Sequence, residues 1–207
     1  MMFKKITIPQ RTSELAYILT EPKIPQVEIK KKRLITFLHG AGERDLSDEQ
    51  FETIRYMIPN NVREANYCLF PRCRPDDIFD PLEVGELINQ IAKDLAVNNN
   101  YLMGYSMGAR AIWSIAATVA VDITAMVVVA GYSCYLQASK VFHIPTLIFH
   151  GENDNVVPFA ESAKMANAMK EFGGSPKLIP LKDFGHGPFG FIFESEKVYN
   201  WMFGNEG

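Results

Sequence analysis

The chain has 207 residues, 47% of them hydrophobic and 22% charged, with a formal net charge of −3. That length suits one well-packed domain rather than two, and the absence of a basic excess argues against a nucleic-acid binder. Three cysteines (Cys68, Cys73 and Cys134) are an odd number without metal-ligand spacing, so they read as reduced thiols of a cytoplasmic protein rather than a disulfide framework.

From the start of the chain, Met1-Met2-Phe3-Lys4-Lys5 is followed by an alternating and then polar stretch, so no apolar signal-peptide segment develops. The alternation over 4–20 predicts two antiparallel strands joined near Gln10-Arg11-Thr12-Ser13. The basic run Lys30-Lys31-Lys32-Arg33 is a solvated entry to the apolar strand 34–38, which stops at His39-Gly40. A helix is expected over 48–56, then a strand at 67–70 halted by Pro71. The spacing of Leu82, Leu87, Ile88, Ile91 and Leu95 predicts a helix over 81–97 with proline at its start.

A short buried strand, 100–103, precedes Gly104-Tyr105-Ser106-Met107-Gly108, and an alanine-rich helix over 109–120 follows it. Strands at 125–130 and 146–149 come next. A helix over 158–171 is opened by Pro158 and closed by Gly173-Gly174; strand 177–181 and a helix over 191–202 complete the pattern. Apolar strands alternating with amphipathic helices predict an α/β fold, a mainly parallel sheet with helices on both faces. No apolar run approaches a membrane span in length.

The chemistry centres on Ser106. G-x-S-x-G at a strand-to-helix junction places a serine on a tight, strained turn, with glycines where a Cβ would clash. A serine hydroxyl needs a base, an orienter for the base, and donors for the developing oxyanion. Of four histidines, His143 precedes its strand at the wrong end of the sheet. His150 ends a strand and reads as a satisfied core histidine. His39 reads as serving through its backbone. His186 lies in Asp183-Phe184-Gly185-His186-Gly187-Pro188, a loop beyond the last strand that reaches the sheet end where reactive groups gather. Asp154, past the end of strand 146–149, is the expected acid, with Glu152 of the same loop its rival and Asp122 at the wrong strand end. The backbone N–H groups of Met107 and Ala41 are the expected oxyanion donors, Ala41 lying in the glycine-rich stretch His39-Gly40-Ala41-Gly42. Tyr105, Tyr132 and Phe184 are candidate substrate contacts. Phosphate-loop spacings are absent, and no cofactor or metal is expected.

Together, His39-Gly40-Ala41-Gly42-Glu43-Arg44, the 104–108 turn, Asp154-Asn155-Val156-Val157-Pro158 and Gly185-His186 resemble the α/β-hydrolase superfamily over residues 30–205. They are most similar to its small carboxylesterase, phospholipase-like and dienelactone-hydrolase-like branch, although the dienelactone enzymes typically carry cysteine at the position of Ser106. The resemblance implies a single domain over 1–207, with N-terminal antiparallel strands in 1–30 and a catalytic core in 31–207. It implies Ser106 as nucleophile, His186 as base and Asp154 as orienting acid. Only 131–144 separate two core strands, too little for a cap, so an open site is expected. Glu43 and Arg44 are expected to form a loop-fixing ion pair. The implied activity is carboxylic-ester hydrolysis on a small-molecule ester substrate. Thioester or peptide hydrolysis by the same groups, and a non-catalytic ligand-binding protein on this fold, are the alternatives; oligomeric state is not legible.

Overall fold

The computed structural model describes residues 4–7, 14–23, 31–187 and 189–205. The expected turn at 10–13, the start of the basic run at Lys30 and Pro188 of the histidine loop lie outside them. Among the described residues, eight strands form one sheet: β1 Lys4–Thr7, β2 Glu14–Thr20, β3 Arg33–Leu38, β4 Tyr67–Pro71, β5 Asn99–Tyr105, β6 Ala125–Val129, β7 Thr146–Gly151 and β8 Lys177–Leu181. Their order in space is β1-β2-β4-β3-β5-β6-β7-β8. β1 and β2 are antiparallel additions at one edge, and β3 to β8 run parallel. The sequence direction reverses around β3, which lies between β4 and β5. In open α/β sheets ligands collect beyond the carboxyl ends of the strands at such a reversal.

The helices are α1 Asp48–Phe51, α2 Asn60–Ala65, α3 Pro81–Leu95, α4 Met107–Thr118, α5 Ala138–Val141, α6 Phe159–Glu171, α7 Gly190–Phe193 and α8 Glu196–Phe203. They divide between the two faces because strand side chains alternate. Leu34, Leu38, Leu102, Met126 and Val128 face one side, under Ile88 of α3, Trp113 of α4 and Met165 of α6. Ile35, Phe37, Met103, Val127 and Val129 face the other, under Phe51 of α1, Val62 of α2, Phe193 of α7 and Met202 of α8. Every residue of β6 is fully buried, as expected for a central parallel strand. The three cysteines are free thiols, and burial pushes Cys68 up to about 12 and Cys73 up to about 11.

Several expected boundaries move. The helix expected over 81–97 starts as predicted, with the Asp80 carboxylate accepting from Leu82 N and Glu83 N, but stops at Leu95 because Ala96 turns left-handed at φ 51°. The helix expected over 48–56 is α1 followed by a 3-10 stretch, Glu52–Met57. α2 and α5, each six residues or fewer, were not expected. The single helix expected over 191–202 is two, because Ser195 is extended at φ −76°, ψ 116°. The break frees the Phe193 carbonyl, which accepts the buried Tyr199 hydroxyl at 2.7 Å. Between β6 and β7 stand only a 3-10 turn, Tyr135–Gln137, and α5, with no cap. Among the described residues no helix is long and apolar enough to cross a membrane.

Candidate active site

Ser106 sits between β5 and α4 at φ 52°, ψ −113°, a conformation that side-chain-bearing residues rarely adopt. Its N–H donates to Val129 O of the next strand at 2.9 Å, fixing the turn against the sheet. The flanking glycines are demanded by space. A Cβ on Gly108 would lie 2.0 Å from Leu38 O, and one on Gly104 would lie 2.9 Å from the Gly108 backbone. The end of β3, the turn and the start of α4 are therefore in backbone contact.

Two loops at the same sheet end bring up the partners. Asp154 follows β7 and His186 follows β8, and the loops are joined by Glu152 N to Leu181 O at 3.0 Å and Asn153 N to Phe184 O at 2.9 Å. His186 Nδ1 lies 2.6 Å from Asp154 Oδ2, and its Nε2 lies 2.8 Å from Ser106 Oγ. A carboxylate only accepts, so the ring proton sits on Nδ1 and Nε2 accepts from the serine hydroxyl. The Asp154 side chain is fully buried while that of His186 keeps 18% exposure. Burial by itself raises the Asp154 pKa, but the bond from His186 and the Val157 and Val156 N–H groups on Oδ1 outweigh it, holding the carboxyl below the usual range. Glu152, the rival acid, makes no such contact and is exposed.

Ala41 opens a 3-10 turn, Ala41–Glu43, directly after β3, whose Leu38 is in register with Gly104. Met107 is the first residue of α4, so its N–H has no acceptor within the helix. The His39 ring does more than its sequence context suggested. It is buried, edge-on to Phe51 and Phe79, donates from Nδ1 to Gly40 O at 2.7 Å and accepts from Cys73 N at Nε2, 3.1 Å. Burial lowers its pKa to about 4, so the ring is neutral and holds the Gly40-Ala41 peptide in place. The expected Glu43–Arg44 ion pair is not formed among the described residues. Arg44 instead donates to Ala41 O at 3.0 Å and Asp77 O at 2.8 Å, tying this loop to the one after β4.

The Tyr105 hydroxyl donates to His186 O, so it holds the histidine loop rather than reaching outward. Tyr132 and Phe184 are partly exposed, at 45% and 36%, at the same end of the sheet. Phe184 stacks on buried Phe189, which meets Tyr105 edge-on. Arg72 and Arg74 are engaged with Asp48 and Glu83 respectively, so they fix their loop. His143 is exposed before β7, far from the site in topology. Among the described residues no group of three or more His, Cys, Asp or Glu side chains is arranged to hold a metal ion.

His150 is fully buried, as expected, but its surroundings were not legible. Its Nε2 donates to Val157 O at 2.8 Å and lies 3.2 Å from Asp154 Oδ2, and its Nδ1 meets Ser162 Oγ at 2.7 Å. The signal available in sequence was the four-residue separation of a strand-terminal histidine from the acid.

This architecture is the α/β-hydrolase fold. The model of the prolyl oligopeptidase family matches residues 125–202, the stretch that carries Asp154 and His186. No protein of curated function matches the sequence. Among solved structures, a thermostable esterase superimposes with TM-score 0.85 at 23% identity, covering 98% of this chain and 62% of that one. Est1E from Butyrivibrio proteoclasticus gives TM-score 0.69 at 15% identity, covering 98% of each chain. The Pyrococcus horikoshii acylaminoacyl peptidase gives 0.67 at 15% identity, covering 89% of this chain and 37% of that one. This chain thus spans about three fifths of the thermostable esterase and little more than a third of the peptidase.

Proposed function

We propose that the protein is a serine hydrolase that cleaves carboxylic esters through an acyl-enzyme on Ser106. The observation that carries the reading is the unbroken hydrogen-bonded series Ser106 Oγ, His186 Nε2, His186 Nδ1, Asp154 Oδ2, at 2.8 and 2.6 Å. His186 takes the serine proton as Oγ forms its bond to the substrate carbonyl carbon. The oxyanion that results is met by the N–H groups of Met107, first residue of α4, and Ala41, in the turn after β3. Collapse of that intermediate expels the alcohol, which receives the proton from His186. Water, deprotonated by the same imidazole, then releases the acid. Asp154 keeps Nδ1 protonated and stabilises the imidazolium formed in each half-reaction.

Tyr132 and Phe184 supply apolar surface for the acyl or alcohol group, with Tyr105 holding the loop behind them. Peptide hydrolysis with the same groups is the second reading, favoured by the match to the prolyl oligopeptidase family over 125–202. Paired aminoacyl esters and anilides separate the two: a peptidase turns over both, an esterase only the ester. The test of the central reading is labelling by a fluorophosphonate, with which an activated serine reacts at phosphorus as at carbon. Label on Ser106, lost in Ser106→Ala at unchanged thermal stability, is the expected result. Label that persists in Ser106→Ala, or that maps to Ser133, contradicts it.

A further inference from the structure

Resting on the reading of Asp154 as the acid, we infer that His150 is a positioning residue of the site, acting on Asp154 as a second imidazole beside the carboxylate oxygen that His186 meets. The series Ser106, His186, Asp154 does not end at the carboxylate. Asp154 Oδ2 lies between two imidazoles, His186 Nδ1 at 2.6 Å and His150 Nε2 at 3.2 Å. Its Oδ1 accepts from Val156 N at 2.9 Å and Val157 N at 2.8 Å. The carboxylate is fully buried, so its orientation is set by the protein groups that meet it rather than by bulk solvent.

The protonation of His150 follows from its own partners. Val157 O only accepts, so Nε2 carries a proton directed at it. The Ser162 hydroxyl has two acceptors within reach, His150 Nδ1 at 2.7 Å and Gly131 O at 3.4 Å. The shorter contact takes the hydroxyl proton, which leaves Nδ1 as an acceptor and the ring neutral. That N–H holds the carbonyl of Val157, whose own N–H binds Oδ1, and Nε2 itself lies 3.2 Å from Oδ2. His150 therefore packs against the carboxylate while fixing the Val157 end of the 154–157 turn. Its backbone adds to the constraint: a Cβ at the next residue, Gly151, would lie 2.2 Å from Gly185 O, so β7 ends hard against the loop that carries His186. A shift of the His150 ring thus moves Oδ2 relative to Nδ1 of His186, where a small misplacement is costly in rate.

The test is a double-mutant cycle read by the second-order rate of fluorophosphonate labelling at Ser106, with kcat and KM for p-nitrophenyl acetate alongside. His150→Leu should slow labelling and lower kcat about tenfold to a hundredfold with KM unchanged. His150→Gln, which keeps an N–H near Nε2, should recover part of the loss. Ser162→Ala, which removes the donor to Nδ1, should cost about threefold to tenfold. In the Asp154→Asn background, His150→Leu should add less than about twofold, because its route to the serine runs through the carboxylate. If His150→Leu does not fold, Ser162→Ala and His150→Gln carry the same cycle. An equal loss in both backgrounds reduces His150 to ordinary packing and overturns the inference. An Asp154→Asn enzyme that labels at the wild-type rate overturns instead the assignment of the acid on which the inference rests.

Discussion

At the scale of single residues, the site is a set of groups whose protonation is set by their neighbours. Asp154→Asn presents a donor to Nδ1 and favours the wrong imidazole tautomer, so kcat should fall by roughly 10⁴, the cost of the equivalent change in a serine protease. Esterase assays of the folded variant check this; a nearly silent Asp154→Asn with a crippling Glu152→Gln would move the acid to Glu152. His39 gives a prediction about stability. Its pKa is lowered from 6.5 to about 4 by burial, so the unfolded chain binds the proton more readily than the native one between those values. Stability from this group is complete above pH 6.5 and is lost as pH falls towards 4, by about 2 to 3 kcal/mol at pH 4.5. The Asp154 carboxyl, also held low, acts in a lower window: its contribution is present above the unfolded value and disappears as pH falls through the folded one. Urea unfolding of wild type and His39→Asn at pH 7 and 4.5 separates the two. The difference between the two pH values should shrink by that 2 to 3 kcal/mol in the variant; an unchanged difference refutes the assignment.

At the scale of elements, the turn between β5 and α4 stores strain that the packing of its neighbours maintains. Ser106→Gly relieves a positive φ and should raise stability by about 1 kcal/mol while abolishing activity, whereas Ser106→Ala keeps the strain and should unfold at the wild-type temperature. Gly108→Ala has no room, with a Cβ 2.0 Å from Leu38 O, and should cost several kcal/mol, about 3 or more. Gly42→Ala meets nothing within 4 Å and should change stability by less than about 0.5 kcal/mol. Calorimetry of the four variants distinguishes these cases, and a tolerated Gly108→Ala would contradict the close contact of β3 with α4. The long elements were legible because their periods are unambiguous: the runs around Leu34, Val127 and Ile148 read as buried strands, and Pro81 and Pro158 mark helix starts. α2, α5 and the break at Ser195 were not, because four to eight residues carry little periodicity and tertiary packing decides them. The motifs around Ser106, Asp154 and His186 were legible as local turns. The contacts of His150 with Asp154, Tyr105 with the His186 carbonyl and Arg44 with Asp77 were not, since each depends on how loops from different strands meet.

At the scale of the whole molecule, the sheet order brings the loops after β3, β5, β7 and β8 to one end, and nothing between β6 and β7 covers them. With no cap between β6 and β7, turnover should not jump as substrate passes its aggregation concentration. Short to medium acyl esters should be hydrolysed best, because each further methylene adds at most about 0.8 kcal/mol and only while apolar surface still buries it. The kcat/KM values across acyl lengths, below and above the aggregation concentration, check both; interfacial activation or a strong preference for long chains contradicts the open site. The central claim, an acyl-enzyme on Ser106, is tested most directly by trapping it. Enzyme mixed with p-nitrophenyl acetate should release a burst of nitrophenol approaching one equivalent if deacylation is the slower step. Acid quenching within that burst, followed by digestion and mass spectrometry, should find acetyl on the peptide containing Ser106. Acetyl confined to Ser133 or Cys134, or a burst that leaves no acetylated peptide at all, would contradict the account.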